Sequence, residues 1–319
     1  MTSKTGPGKA YREGLSLIHV MDMFATEQAA REWFETQRWP HGTECPRCDG
    51  DNVAAVKSGK PMPWHCRSCR KYFSVRTDTV MAESKLPLKV WAVAIYLYAT
   101  NLKGYSSMHL HRELNITQKS AWFLAHRLRQ AWEDAQPPRL DGPVEVDETL
   151  IGGKEENKPL SKRAPSGRGG RGPTAGKAIV VGIRDRSTGE IRAMPIEHAD
   201  SATLQGFVRE NVEEGADVFT DEARAYIGLR DAYYHRSVAH GVQQYVDGQA
   251  HTNGIESFWA MLKRGYHGTY HQMSPEHLHR YVSEFAGRRR WREHGTLAQM
   301  ERMARGLVGK RLSYEALTS

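Results

Sequence analysis

The pattern of apolar and polar positions changes character near residue 140. Before that point apolar residues recur at helical spacing. "FATEQAAREWFETQRW" (24–39) predicts a helix opening near Thr26, whose hydroxyl can accept from the free amides of the first turn. "LPLKVWAVAIYLYATNL" (86–102) is apolar almost all round, as a buried helix is. "SSMHLHRELNITQKSAWFLAHRLRQAWEDA" (106–135) predicts two helices broken at Asn115, with Leu110 and Leu114 facing a core and Thr117 capping the second helix. Residues 1–23 are polar enough to read as a disordered N-terminus.

After the Pro/Gly linker "QPPRLDG" (136–142) the period shortens to two. "PVEVDETLIGG" (143–153) alternates as a strand does. "AIVVGIRDRSTGEIRAMPIEHA" (178–199) predicts a hairpin turning at "STGE". A helix capped by Ser201 follows, then a short strand in "ADVFTDEARAY" (216–226) with a helix start after it. Two longer helices lie in "HTNGIESFWAMLKRGYHGTYH" (251–271) and "SPEHLHRYVSEFAGRRRWRE" (274–293). There is no internal repeat. The order strand, hairpin, helix, strand, helix predicts an α/β fold: a mixed sheet flanked by helices. The expected organisation is an N-terminal helix and cysteine module over 24–80, a helical region over 81–136, and an α/β domain over 137–300. A basic, Gly-rich loop (152–177) interrupts that domain, and 301–319 form a C-terminal tail.

The chain has 319 residues and a formal charge of +8. That excess favours a polyanionic partner, of which nucleic acid is the commonest. No apolar run reaches the roughly 18 residues that a membrane span needs. The first residues lack the apolar centre of a secretion signal, so a cytoplasmic, nucleoid-associated protein is expected.

All four cysteines lie between residues 45 and 69. Cys45/Cys48 and Cys66/Cys69 are two Cys-x-x-Cys pairs with 17 residues between them. Four thiolates so spaced predict a closed, tetrahedral, structural zinc site. Arg47, Arg67, Arg70, Lys71 and Arg76 make that module basic, a surface for DNA phosphates or merely a solvated face. The helix pair after it fits a helix-turn-helix-like DNA reader. Gln118 and Lys119 stand in the first turn of its second helix, with His126, Arg127 and Arg129 further on.

Three acids carry the candidate chemistry. Asp147 sits in a strand, Asp221 ends another, and Glu256 lies on a helix. Such a set can hold two Mg²⁺ or Mn²⁺ ions for phosphoryl transfer, because hard cations prefer oxygen ligands. Lys263 falls within about 20° of Glu256 around the helix, with Asn253 on the same side, while Ile255, Phe258 and Leu262 share an apolar face. Lys263 and Arg264 are therefore candidate DNA contacts. Glu145 and Glu148 rival Asp147, with Glu145 on its face of the strand and Glu148 on the other; Glu222 rivals Asp221. His235, His240, His251, His267 and His271 crowd the third acid, each a proton carrier, a DNA contact or a plain packed histidine. "RRRWRE" (288–293) and the 152–177 loop are basic enough to lie on DNA or simply to be solvated. Trp259 and Phe258 are expected in the core.

"AAREWFETQRWPHGTECPRC", "RKYFSVRTDTVM", "ITQKSAWFLAHRLRQAW", "VEVDETLIGGK", "FTDEARAY" and "HTNGIESFWAMLKRGYHGTYH" together resemble bacterial insertion-sequence transposases with an N-terminal zinc ribbon and a DDE-type domain. The resemblance runs from about residue 24 to 292. It implies an RNase H-like domain, structural Zn²⁺, Mg²⁺ or Mn²⁺ at the acids, and DNA cleavage and strand transfer at terminal inverted repeats by a dimer or larger assembly. Asp147 and Asp221 match the family's first two acids. Its third position varies among Glu, Asn and His, so both Asn253 and Glu256 qualify; Glu256 is favoured as the stronger ligand for a hard cation. A zinc-ribbon regulator without chemistry and a two-metal nuclease of similar fold are the alternatives.

Overall fold

A computed structural model describes residues 14–59, 62–133, 137–153, 177–221, 224–238 and 252–319. Most of the basic loop, Glu222, His240 and His251 lie outside them. The chain divides into two compact units, one of residues 1–133 with 293–319, the other of residues 134–292.

The first unit begins with structure where none was expected. Leu17–Met23 forms helix α1, with the Ser16 hydroxyl accepting from His19 N at 3.1 Å. Helix α2 (Glu27–Arg38) is capped by Thr26, as its sequence predicts. Strands β1 (Val53–Ala55), β2 (Trp64–Cys66) and β3 (Tyr72–Phe73) make a small antiparallel sheet in that order. Helix α3 (Leu88–Thr100) is buried along nearly its whole length, which explains its weak amphipathicity. Helices α4 (Ser107–Leu114) and α5 (Gln118–Arg129) are separated by Asn115 in the left-handed conformation (φ 48°), and Thr117 caps α5.

The second unit is built on a five-stranded sheet. Its strands are β4 (Val144–Ile151), β5 (Ala178–Asp185), β6 (Ile191–Ile196), β7 (Asp217–Asp221) and β8 (Tyr234–Val238), in the order β6-β5-β4-β7-β8. β4, β5 and β6 are antiparallel neighbours, whereas β7 and β8 run parallel to β4. This is the expected RNase H-like mixed sheet; its edge strand β8 is the one that the sequence pattern did not reveal. Helix α6 (Ser201–Asn211) starts one residue earlier than expected in capping terms. Asp200, not Ser201, is its cap and accepts from Thr203 N at 2.8 Å. A carboxylate there also meets the positive end of the helix dipole.

Period-two alternation in β4 sorts the two faces of the sheet. Val144 and Val146 pack with Leu204, Phe207 and Val208 of α6 and with Tyr226. Ile151 and Val180 pack on the opposite face with Ile255, Phe258 and Leu262 of helix α7 (Asn253–Gly265) and with Val282 and Phe285 of helix α8 (Leu278–Arg290). α7 runs on into a π turn, Tyr266–Tyr270, that ends at His271 with φ 57°. The last helices, α9 (Thr296–Gly306) and α10 (Tyr314–Thr318), belong to the first unit.

Candidate active site and zinc centre

The four cysteines meet at one end of the small sheet. Their sulfurs all lie within 4.8 Å of one another. Cys45 Sγ is 3.6 Å from Cys69 Sγ, and Cys48 Sγ is 3.7 Å from Cys66 Sγ. The Cys69 amide points at Cys66 Sγ from 3.5 Å and draws that thiol down to about 7, whereas the sulfurs crowded around Cys48 push its thiol up to about 12, so the four share their protons. Phe73 and Trp39 pack beside the cluster.

In the second unit β4 and β7 bring the two aspartates together. Val144 pairs with Val218 and Glu145 with Phe219. Asp147 and Asp221 stand two residues beyond the last of these pairs, so alternation gives them the same face, and the Asp221 charge acts on Asp147. Asp147 is largely buried. Burial, and then the charges of Glu148 and Asp221, push its carboxyl up to about 7. A group of acids so crowded lacks positive charge, and hard oxygen donors are what a divalent cation takes. Among the described residues, however, only the cysteines form a group of three or more candidate ligands closed within 4.8 Å. Asp147, Asp221 and Glu256 do not make up such a group.

Helix α7 lies along β4 on the aspartate face. Ile255 N donates to Glu145 Oε2 at 2.8 Å, and Trp259 Nε1 donates to Asp147 Oδ2 at 3.0 Å. Four helical residues and two strand residues each advance about 6 Å, so the two contacts share one register. Glu256 occupies the first turn of α7, is exposed, and accepts from Thr252 Oγ1 at 2.9 Å. Asn253 is the first residue of the same helix and is also exposed.

The rival acids have other work. Glu145 is wholly buried, with Arg184 Nη1 at 3.3 Å and Arg186 Nε at 3.0 Å from its Oε1. It is a structural anchor for α7. Glu148, on the opposite face as the alternation predicts, accepts from the buried Tyr226 hydroxyl at 2.6 Å.

Beyond the acids, a cavity of about 950 Å³ follows the end of β4 and is lined by Glu148, Gly152, Lys177, Lys263, His267 and His271 among others. Lys263 and Arg264 are exposed, and Lys263 faces this cavity. The π turn at the end of α7 carries His267 and leads into His271. His235 lies apart from the cavity lining: its Nε2 is 2.9 Å from the Thr220 hydroxyl, and burial lowers its basicity. Of "RRRWRE", Arg288 is tied to buried Glu284 at 2.7 Å. Phe258 and Trp259 are in the core as expected, but Trp259 also touches Asp147, which the sequence reading missed. The available signal was Gly182, a glycine inside a strand, which marks close approach by another group. A Cβ there would lie 2.7 Å from the Trp259 ring.

In the first unit Gln118 and Lys119 are exposed at the start of α5, and Lys119 Nζ sits 4.3 Å from the Tyr314 ring centroid. Arg127 corrects the sequence reading. It is buried, stacks on Phe123 at 4.0 Å, and donates through Nε to Leu312 O at 3.2 Å. Burial pulls its guanidinium down to about 10. His126 and Arg129 are buried as well. The latter half of α5 is core, so an outward polar face is confined to its first turn.

A zinc ribbon together with a mixed-sheet unit bearing paired aspartates is the architecture that the resemblance to zinc-ribbon DDE-type transposases implies. Residues 139–290 match the ISXO2-like transposase domain, and residues 25–72 match the transposase zinc-ribbon domain. The chain is also 31% identical over 273 residues to a protein of Halobacterium salinarum described as an "Uncharacterized protein in transposable element ISH50"; the match covers 83% of this chain and 92% of that relative. The chain belongs to the insertion-sequence transposases with an ISXO2-like, IS1595-type domain. No helix among the described residues is long and apolar enough to cross a membrane.

Proposed function

We propose that this chain cuts DNA at the 3′ ends of an insertion sequence and joins those ends to target DNA. What supports the reading is that Asp147 and Asp221 lie on adjacent parallel strands, near enough for the Asp221 charge to act on Asp147, and that the Trp259 N–H ties α7, the helix that carries Glu256, to Asp147. Water attacks the phosphodiester at the element end; a P–O bond forms as the bond to the 3′ oxygen breaks, and a 3′-hydroxyl is released. That hydroxyl then attacks a target phosphodiester in line, again exchanging one P–O bond for another.

Asp147, Asp221 and Glu256 would hold divalent cations, with Asn253 as a neighbouring amide donor. Such cations supply Lewis-acid stabilisation of the attacking and leaving oxygens. The oxygen-only donor set fits Mg²⁺ or Mn²⁺. Lys263, Lys177, His267 and His271 line the adjoining cavity, and this supports seating the backbone of a DNA strand there. Arg264 adds positive charge beside Lys263. Terminal inverted repeats would be read by the zinc ribbon and by the first turn of α5, through Gln118 and Lys119. Two ends must be joined in one event, so a dimer or larger assembly on double-stranded DNA is expected.

The test is a cleavage and strand-transfer assay on terminal-repeat DNA with Mg²⁺, comparing the wild-type chain with Asp147→Ala, Asp221→Ala, Glu256→Gln and Asn253→Ala. Metal-dependent joining lost in the first three variants supports the proposal. Cutting without joining indicates a nuclease, and binding without chemistry a regulator. Loss in Asn253→Ala with activity kept in Glu256→Gln would move the third ligand to Asn253.

A further inference from the structure

We propose that Trp259 is a positioning residue, whose indole N–H sets the orientation of the Asp147 carboxylate for cation binding, and that position 182 is glycine to admit the indole. The inference rests on Asp147 being a cation ligand, as proposed above.

Two observations separate this role from simple core filling. The first is chemical. Indole has one N–H and no acceptor, so a buried Trp259 must find an acceptor for it. That acceptor is Asp147 Oδ2, at 3.0 Å. Tying one carboxylate oxygen fixes the rotation of the group about its Cβ–Cγ bond. Partners that orient a metal ligand in this way affect metal affinity without touching the metal.

The second is steric. Gly182 is the cross-strand partner of Asp147. A Cβ at Gly182 would stand 2.7 Å from Trp259 Cη2, 2.8 Å from Cζ2 and 3.2 Å from Ile255 Cδ1. The six-membered ring therefore occupies the side-chain space of the residue beside Asp147, which aims the pyrrole N–H at the carboxylate. Phe258 already fills the same apolar layer, and the two rings pack at 5.0 Å between centroids. Hydrophobic filling alone asks nothing of an N–H. Trp259 also stands one turn after Glu256, so the helix that bears the proposed third ligand is tied directly to the first.

The test uses the full, zinc-loaded chain and Mn²⁺ alone as the probe, titrated by calorimetry or electron paramagnetic resonance. Trp259→Phe keeps a ring and removes the donor; it is expected to weaken Mn²⁺ binding about tenfold or more. Trp259→His, which restores an N–H, is expected to recover part of the loss. Wild-type Mn²⁺ affinity in Trp259→Phe, whatever its thermal midpoint, would overturn the inference. Asp147→Ala runs alongside: if it keeps Mn²⁺ affinity, the catalytic reading itself fails, whereas loss there with none in Trp259→Phe sinks only the role of the tryptophan. Should Trp259→Phe not fold, ¹⁵N-indole spectra of the wild-type chain decide. An indole N–H signal broadened by substoichiometric Mn²⁺ supports the placement, and eight unaffected indoles overturn it.

Discussion

Glu145 accepts the backbone N–H of Ile255, 110 residues away, at 2.8 Å, while its other oxygen holds two arginines. A wholly buried carboxylate thus clamps the first turn of α7 to the central strand. Arg184 and Arg186 are themselves mostly buried, with 19% and 16% of their side chains exposed. Glu145→Ala removes the carboxylate with which both guanidinium groups pair and frees the start of α7. The expected cost is about 3–5 kcal/mol, read from urea unfolding. A loss under about 1 kcal/mol would show that water reaches these groups.

Asp147 gives the metal-free protein an unusual pH dependence. Its folded-state pKa, about 7, lies above the unfolded value near 4. The folded state therefore holds the proton more tightly. Its stabilising contribution is complete at low pH and is lost as pH rises from about 4 to about 7, by an amount on the order of 4 kcal/mol. Asp147→Asn should remove this slope and, in EDTA, unfold at a higher temperature than wild type at pH 8. Equal midpoints for the two proteins at pH 8 would contradict the shift.

Zinc removal should act on the ribbon. The three short strands β1, β2 and β3 contribute eight residues in all, too few to hold a sheet without a metal staple. Chelation, or Cys66→Ser, should collapse the amide dispersion of residues 45–73, and added Zn²⁺ should restore it after chelation. A ribbon spectrum unchanged by loss of the metal would refute the structural role.

Lys263 is expected to act on DNA through charge alone. Lys263→Ala should weaken binding of specific and random duplexes alike, and should reduce the slope of log affinity against log salt by about 1. A sequence-dependent loss would instead point to base contact.

Arg127 should behave as a core residue. Arg127→Ala removes a charged hydrogen bond to Leu312 O and stacking on Phe123. The expected effect is a stability loss of about 2–3 kcal/mol, with DNA affinity unchanged at temperatures where the variant is folded. A weaker salt dependence of DNA binding in a fully folded Arg127→Ala would return this side chain to the DNA.

Much of this protein could be read from local pattern. Alternation of period two marked β4, the turn at "STGE" marked the β5–β6 hairpin, and a short strand was legible at β7. Thr26 and Thr117 marked helix starts, and the paired cysteines marked the ribbon. Those signals are legible because a strand, a cap and a metal knuckle are each built within a few residues. The sorting of Glu145 from Glu148 onto opposite faces followed from the same alternation. What each acid does there did not. The tertiary structure decided it by supplying Arg184, Arg186 and α7 to Glu145 and Tyr226 to Glu148. Arg127 was misread because its burial depends on Leu312, 185 residues away. Trp259 was taken for core alone because its partner, Asp147, is 112 residues distant. Periodicity records which side of an element faces inward; whether a charged or polar group there is anchored, buried or free depends on the element that folds against it.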